Sequence, residues 1–503
     1  MERMISFENL TVAPYQVERL LDVRMEHRMN EHSTFYFKAL LPDEQKDSYA
    51  KSSREGSRVS LMAKDSGGKS SILFQGMVQD VKVKAIQGLY YMEVYAISHS
   101  YLLDVEKKSR TFQNKKMPYK ELIQQVAADY TNAMVEDVVT GGASTGQLIV
   151  QYKETDWEFL KRLASHFHTG LVSDIHFDRP ACYFGIPNHG KLTVDVMNYG
   201  VKQNIGKYLK LSKNGISGLQ EQDFIYYEVE TNLPANIGDV VQFQGQTLYV
   251  YEIQGYMEKG SFLHRLTLTT QKGMSQPYQY HDRIAGGSLN GKIVEIQNDR
   301  VKVSLEVDEV SGHSPGELCF FPYSTIYSSQ DGSGWYCMPE IGDQVRIYFP
   351  DGIEEHSYAI SSVHEAVDPS LQQGMGSSPS GGGSGAAGSS GGSSGGGGGA
   401  YSGQRDDPSV KSLRNQDGKE IRLTPDGIYI ISDGTTITLT DDGGVSIVSD
   451  QNIEFKSDQN IILSAEQDVN IVGLTGIDLS CNETASIKME ENVEVIGQEV
   501  KSN

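Results

Sequence analysis

The feature that most constrains this chain is an eight-residue repeat near its C-terminal end. In residues 449–473, which read SDQNIEFKSDQNIILSAEQDVNIVG, two apolar residues spaced by one return every eight positions, and Ser, Asp, Gln and Asn fill the gaps. Residues one and three of a strand point to the same face, so each octad directs two apolar side chains inward. A five-residue strand spans about 17 Å, so one octad cannot close a coil by itself, and three octads must surround each layer of core.

Ten octads follow one another without an insertion from Ile421, with Tyr429 and Ile431 in the second and a weak first position at Ala485 in the ninth. Two windings satisfy this pattern: one chain supplies three successive octads to each coil, or three identical chains supply one octad each around a common axis. A calcium-binding solenoid is excluded because its nine-residue, glycine-rich signature is missing. The residues predicted to form the needle core are Ile421, Leu423, Ile437, Leu439, Val445, Ile447, Ile453, Phe455, Ile461, Leu463, Val469, Ile471, Ile477, Leu479, Ile487, Val493 and Val495.

Charge and cysteine content exclude several classes of function. The formal net charge is −22, from 44 basic and 66 acidic side chains, so the surface repels nucleic-acid phosphates and anionic lipid head groups. No apolar run approaches the roughly 20 residues that cross a bilayer, and the first ten residues lack the core of a signal peptide, so we expect assembly in the cytoplasm. The four cysteines have no CxxC spacing, which predicts free thiols rather than disulfides or a zinc site.

A glycine-serine segment divides the chain, since 22 of the 26 residues 374–399 are Gly or Ser, a composition typical of a flexible linker. Before it, β-rich segments such as Thr34 to Leu41 alternate with glycine-containing turns, which predicts small barrels or sandwiches. Helices are predicted over residues 117–130 and 155–167, the second with Thr155 as its N-cap and Glu158 three residues later. Residues 286–367 hold four or five strands, the size of an OB-type barrel.

Several longer motifs lie before the glycine-serine segment. The first part carries MNEHSTFYFKALLP, ILFQGMVQDVKV, LLDVEKKSRTFQNKKMPYKELIQQVAADY and YKETDWEFLKRLASH. The OB part carries RVKVSLEV and GWYCMPEIGDQVRIYFPDG, with the series Trp335, Pro339, Glu340, Gly342, Asp343 and Val345. Together with the octads, these motifs resemble those of VgrG-type spike proteins of contractile injection systems, which are related to the hub and spike proteins of contractile phage tails.

The resemblance implies a mainly β fold with two hub β-barrels and intervening α/β elements, an OB-fold barrel, and a C-terminal trimeric triple-stranded β-helix. The expected domains are a phage-hub-like domain at 1–280, the OB-fold at 284–368, the flexible linker at 369–404 and the octad needle at 405–503. The implied function is that of the central structural spike of a contractile apparatus, whether type VI secretion, an extracellular injection particle or a phage-like tail. The spike joins the inner tube to a membrane-puncturing needle.

The resemblance also implies partners. The chain is expected to form a homotrimer, with a hexameric inner tube protein above the hub and baseplate proteins around it. At the needle end a PAAR-like tip protein and effectors are expected, with contacts at Val495, Ile496 and Val500. Contraction would drive the needle through a target membrane and deliver it outside the cell or into a target cell. The lysozyme or effector domains of some relatives have no counterpart here, so we expect no enzymatic activity.

No residue set predicts a catalytic centre, a cofactor or a bound metal. His166 and His168 of the HFH motif point different ways after a helix, and no Asp or Cys set completes a metal site. No G-x-S-x-G motif is present, so no catalytic triad can be placed. The segment from Pro339 to Val345 is interpreted as a turn and strand start that shape the OB barrel. The alternative function is a β-solenoid adhesin or carbohydrate-binding protein that displays the octads, and the third is a peptidoglycan hydrolase.

Overall fold

The computed structural model describes residues 6–45, 48–64, 69–326, 338–360, 409–415 and 417–475. The chain divides into two compact units, Met1–Gln373 and Gly374–Asn503, each considered by itself below. β-Strands predominate in both, which confirms the mainly β prediction. Within these described ranges, no helix has the length and apolar character needed to span a membrane.

A twelve-stranded sheet, called the large sheet below, dominates the first unit. Its strands come from two stretches of sequence that lie before residue 100 and after residue 190. The first stretch contains β1 (Leu10–Ala13), β2 (Arg19–Arg28), β3 (Thr34–Leu41), β4 (Arg58–Lys64), β5 (Ser70–Ile86) and β6 (Leu89–Ser98), with the short helix α1 (Ser48–Ser52). The second contains β12 (Lys191–Leu192), β13 (Asn198–Gln203), β14 (Ile225–Thr231), β15 (Val240–Phe243), β16 (Gln246–Glu258) and β17 (Ser261–Thr269), with α4 (Ile205–Lys213).

The two stretches join where β2 pairs antiparallel with β16, so that Arg28 lies opposite Glu252 and Arg24 opposite Tyr256. Strands predicted to form two separate barrels therefore belong to one sheet, and the described pairings close no barrel. The pairing of β2 with β16 satisfies the backbone N–H and C=O groups along one edge of each strand, so the two stretches share one ladder of hydrogen bonds. In TFYFKALL the alternation holds, since Phe35 and Phe37 are buried in the core on one face of the sheet.

Between the two stretches lies an α/β insertion with its own apolar core. It contains β7 (Lys107–Phe112), α2 (Tyr119–Ala128), β8 (Met134–Asp137), β9 (Ile149–Thr155), α3 (Asp156–Ser165), β10 (Leu171–Ser173) and β11 (Ala181–Phe184). Both predicted helices are confirmed. The N-terminus of α3 has the predicted capping box, because Glu158 N–H donates to Thr155 Oγ1 at 3.1 Å and Thr155 N–H donates to Glu158 Oε2 at 3.0 Å.

A five-stranded antiparallel sheet, called the OB sheet below, follows. Its elements are β18 (Ser288–Gln297), β19 (Arg300–Leu305), α5 (Glu306–Ser311), β20 (Phe320–Pro322), β21 (Gln344–Tyr348) and β22 (Tyr358–Ile360). The strands lie in the order β20-β19-β18-β21-β22. Leu148, which directly precedes β9, and Val150 of β9 share the core of the OB sheet with Val301 and Val303 of β19. The OB sheet is thus packed directly onto the α/β insertion.

The second unit contains a five-stranded antiparallel meander, called the octad sheet below. Its strands are β23 (Lys411–Arg414), β24 (Glu420–Thr424), β25 (Gly427–Ser432), β26 (Thr435–Thr440) and β27 (Gly444–Ser449). Within this single chain the octads therefore fold back on one another as hairpins. Residues 450–475 are described without strands.

Candidate functional site

The octad sheet has one apolar face, and the strand register defines it. Ile421 lies opposite Ile430, Ile430 opposite Ile437, and Ile437 opposite Ile447. Directly opposed residues of antiparallel strands share a face. The apolar side chains on this face are Leu413, Ile421, Leu423, Ile428, Ile430, Ile437, Leu439, Val445 and Ile447.

This face is open in the single chain. Eight of its nine apolar side chains are at least 40% exposed, and Val445 is 69% exposed. Contiguous exposed apolar surface of this kind is typical of protein–protein or membrane interaction sites and of ligand-binding grooves. The opposite face is more polar; there the Arg422 guanidinium donates two hydrogen bonds to Glu420, at 2.9 and 2.8 Å, and holds the pKa of that carboxyl below its ordinary value.

The structure places the predicted needle residues in three groups. Ile421, Leu423, Ile437, Leu439, Val445 and Ile447 share the apolar face, whereas the second octad contributes Ile428 and Ile430 to it rather than Tyr429 and Ile431. Exposed positions outside strands are occupied by Ile453, Phe455, Ile461, Leu463, Val469 and Ile471. The predicted residues Ile477, Leu479, Ile487, Val493, Val495, Ile496 and Val500 lie outside the described residues.

The OB motif forms a turn that holds β21 against β18. The Glu340 N–H donates to the Asp343 carboxylate at 2.9 Å, and the Gly342 N–H donates to the Ile293 carbonyl at 2.8 Å. Gly342 has φ +96°, a left-handed conformation that a side chain would strain. Val345 then enters the core from β21, with 2% exposure. Pro339 begins this stretch, and Trp335 lies outside the described residues.

Two buried carboxylates attach the OB segment to the α/β insertion, and sequence reasoning missed both. Arg162 of α3 donates to Glu354 at 2.9 Å and, from Nη2, to Glu154 at 3.0 Å; all three side chains are buried. Burial raises the pKa of Glu354, although the charge of Arg162 opposes that effect. Because an unpaired charge in this position would be costly, each of these groups requires the others in place.

The second contact lies about Asp308 of α5. The Thr111 N–H donates to one carboxylate oxygen at 2.6 Å and the Thr111 hydroxyl donates to the other at 2.5 Å. Burial raises the pKa of Asp308 to about 6, although both hydrogen bonds oppose this shift. Arg162 among the apolar residues of α3 was a signal of a buried ion pair that the sequence offered. Its partner Glu354, like the Asp308 partner of Thr111, lies almost 200 residues away along the chain, so the sequence did not identify either pair.

A cleft of about 880 Å³ opens beside this contact, lined in part by Lys108, Arg110 and Asp129. Lys108 and Arg110 each contact both Asp129 and Asp156, at 2.7 to 2.8 Å. Partial burial alone would raise the pKa of Asp129, but the hydrogen bond from Lys108 and the charge of Arg110 outweigh burial and lower this pKa below its ordinary value. The charges of Lys108 and Arg110 are thus neutralised by these two carboxylates, which makes neither cation a ready partner for an anionic ligand.

A Ser-His-Asp chain, which the sequence did not suggest, is present in the fold. His32 Nδ1 lies 2.8 Å from Ser100 Oγ, and its Nε2 lies 3.3 Å from Asp104. Ser100 is fully buried and its oxygen also contacts Ser98 Oγ at 2.8 Å. A catalytic nucleophile must reach its substrate, so this chain of hydrogen bonds is structural.

The histidines of the HFH motif are separately engaged. His166 stacks on Tyr278, with ring centroids 4.6 Å apart, and its Nδ1 lies 3.0 Å from the Tyr119 hydroxyl; burial lowers its pKa to about 3. His168 Nδ1 lies 3.3 Å from the Gln276 carbonyl. In the described part of the chain, no group of three or more His, Cys, Asp or Glu side chains is placed to hold a metal ion.

Two family models match the chain, in the order of its domains. Residues 28–168 match the phage tail baseplate hub (GPD), and residues 289–364 match the type VI secretion system/phage-baseplate injector OB domain. The chain thus carries a baseplate hub domain followed by an injector OB domain, and the two matches support a VgrG-type spike. It is therefore a structural spike of a contractile injection system. The matched ranges contain both partners of the Asp308 and Glu354 contacts, so those contacts join the hub and OB parts of the spike.

Several solved structures are similar to the chain at low sequence identity. A component of the E. coli type VI secretion system, described as similar to T4 bacteriophage tail proteins, is 12% identical, covers 70% of the spike and 98% of its own chain, and has a TM-score of 0.48. A chain of the lidded Francisella PdpA-VgrG complex is 8% identical, covers 86% of the spike and 76% of its own chain, and has a TM-score of 0.49. The 43 kDa tail protein of prophage MuSo2 from Shewanella oneidensis is 12% identical, covers 55% of the spike and 100% of its own chain, and has a TM-score of 0.40. No curated protein matches the spike.

Proposed function

We propose that three copies of this spike assemble about a common axis and that their octads interlock into one needle. The observation that carries the proposal is the open apolar face of the octad sheet, where eight of nine apolar side chains are at least 40% exposed. Burying such a side chain contributes about 1.5 to 3 kcal/mol. Three copies of one face provide the three sides that each layer of core requires, and this favours the three-chain winding over the single-chain one.

The needle would act mechanically. Interlocked chains resist unfolding because one chain cannot leave without exposing the apolar faces of the other two. A narrow trimeric point would concentrate the force of contraction on a target membrane. In this proposal the hub end of the spike binds a hexameric inner tube and baseplate proteins, and the needle end, near Val495, Ile496 and Val500, carries a PAAR-like tip protein or effectors. Assembly would take place in the cytoplasm, and contraction would deliver the spike outside the cell or into a target cell.

The proposed role is not enzymatic. Both family matches are to structural baseplate domains. The one Ser-His-Asp chain in the described residues has a fully buried serine, so it offers no nucleophile to a cell-wall or peptide substrate. The spike would therefore serve as a connecting and puncturing part, and any catalytic activity delivered with it would come from a bound effector.

The mass of the full chain in solution tests the trimer. One chain has a mass of 55.5 kDa. Light scattering coupled to gel filtration should therefore give a species of about 167 kDa, because a closed cyclic assembly of three is expected. A folded monomer at micromolar concentration would contradict the proposed needle.

A further inference from the structure

Two histidines lie buried on either side of β16, where the two stretches of the large sheet join. His27 of β2 lies opposite Ile253 of β16, and His264 of β17 lies opposite Gly255 of the same strand. Both side chains are on the core face of the sheet, with 3% and 1% exposure. The ladder that pairs residues 24–28 with 252–256 is called the sheet joint below. One imidazole thus lies within the sheet joint and the other lies on the strand next to it.

Neither imidazole has the surroundings that a charged ring requires. In the described part of the chain, both ring nitrogens of His27 and the Nδ1 of His264 are buried without a hydrogen-bond partner. A protonated imidazole carries an N–H donor on each nitrogen, and a buried donor without an acceptor is costly. Phe262 closes the space over Gly255, because a Cβ added there would lie 2.7 Å from its ring. The core around the sheet joint therefore favours the neutral form of both rings.

The titratable groups that face His27 come from the α/β insertion. They are Asp174, directly after β10, and His176 and His189 further along the chain. Burial lowers the pKa of His27 to about 4, and the charge of His176 adds to this shift, whereas the Ser173 backbone and Asp174 oppose it. The Asp174 carboxylate lies 3.1 Å from His176 Nδ1, so its charge is directed toward that ring. The opposition from Asp174 is thus too weak to hold a proton on the buried imidazole.

The elements of the large sheet direct their charged groups away from the two rings. Burial alone lowers the pKa of His264 to about 4. Across β17 its neighbours are a glycine of β16 and Thr231 of β14, neither of which titrates. Arg28 and Glu252 of the sheet joint bind each other at 2.6 Å, on the face opposite the core. Protonation of either ring would therefore bury an imidazolium without a counter-ion, which is unfavourable unless the strands separate.

We propose that His27 and His264 make the sheet joint acid-sensitive: protonation of the two imidazoles separates β2 from β16 and loosens the hub, whereas at neutral pH the joint stays closed. The proposal goes beyond the spike function and does not depend on the trimer, since both histidines lie within one chain. The hub would keep its two stretches joined at neutral pH and release them in acid surroundings.

Proton linkage gives the sign and the size of the effect. In the open joint both rings reach solvent and have the ordinary pKa of 6.5, whereas the closed joint holds both pKa values at about 4. Above pH 6.5 the rings are neutral in both forms, so the closed joint keeps its full stability. As the pH falls from 6.5 toward 4, the open form binds protons that the closed form does not, and opening becomes easier. From pH 7 to pH 5 the opening equilibrium constant should rise about 20-fold for each histidine and about 500-fold for the pair.

Hydrogen exchange of the full chain at pH 7 and pH 5, corrected for the intrinsic exchange rate at each pH, tests the proposal. Peptides that contain residues 24–28 and 252–256 should lose protection about 500-fold on acidification. Peptides from β6, which pairs with β3 and β5, are the internal control and should keep theirs. Unchanged protection at the sheet joint would overturn the proposal, and so would an equal loss in β6, because the whole sheet would then unfold together.

Variants that cannot be protonated identify the groups responsible. His27→Phe and His264→Phe keep an aromatic ring, and each should reduce the acid effect at the sheet joint to about 20-fold. The double variant should remove the effect, and each single variant remains a test if the double variant does not fold. His356→Phe is the matched control: its ring is exposed beside Asp351 in the OB part, so the 500-fold loss should persist. An acid effect of full size in His27→Phe or in His264→Phe would overturn the proposal.

Discussion

Replacing Ile437 with Asp should open the needle. Ile437 lies in β26 between Ile430 and Ile447 on the apolar face. Removing its burial costs about 1.5 to 3 kcal/mol in each chain, or about 5 to 9 kcal/mol in a trimer, before the further cost of burying a carboxylate. Since 1.4 kcal/mol is a tenfold change, the octad segments should associate at least about a thousandfold more weakly.

Hydrogen exchange of the full-length spike provides the measurement, because it reports the octads even if the hub keeps three copies together. Peptides from residues 420–449 should lose protection in Ile437→Asp. Thr438→Asp is the matched control: its side chain lies on the opposite face, across from Tyr429 and Ser446, and protection should remain near that of the unaltered spike. If both variants exchange alike, the apolar face is not the buried face of the needle.

Two further predictions concern the contacts between hub and OB parts. Arg162→Met should lower the free energy of unfolding by about 3 to 5 kcal/mol, because it leaves buried carboxylates unpaired. Arg283→Met, which removes a partly exposed ion pair with Glu158, should cost at most about 1 kcal/mol; equal urea midpoints would refute the difference. Asp308 has a pKa raised to about 6, so its favourable contribution is complete below its ordinary value of 3.8 and is lost as the pH rises through 6. Asp308→Asn should flatten the fall in stability between pH 4 and 7, and an unchanged slope in denaturant melts would contradict burial of the charge.

Local patterns in the sequence predicted individual strands and helices well, but they did not predict which strands pair when the strands are far apart in the chain. The alternation in TFYFKALL gives β3 with its bounds, and Thr155 with Glu158 gives the start of α3. The helix α4 was missed because it has only nine residues and contains Gly206, which weakens helical propensity. The pairing of β2 with β16 joins strands more than 200 residues apart, and strand periodicity does not specify a distant partner.

The second octad shows how a turn can override a repeat. Thr424 pairs with Gly427 across the two residues Pro425 and Asp426, and this short turn places Ile428 and Ile430 on the face shared by Ile421. A strict eight-residue count would place Tyr429 and Ile431 there. Because side chains alternate along a strand, a shift of one residue exchanges the two faces. The first and third positions of an octad are therefore reliable only where the turn length preserves their parity.

The contacts between hub and OB parts contribute more to the relative orientation of the two parts than to the free energy of unfolding. A buried ion pair such as Arg162 with Glu354 contributes little free energy beyond the cost of desolvating the two charges. Displacing either partner is nevertheless costly, because the other charge stays buried without that counter-ion. Asp308 with Thr111 provides a second point of attachment, also buried and bonded through two oxygens. Two such points resist rotation about either one, so they fix how the OB sheet is oriented on the hub. A spike that carries axial force requires this fixed orientation, because tilting at the junction would dissipate force before it reached the needle.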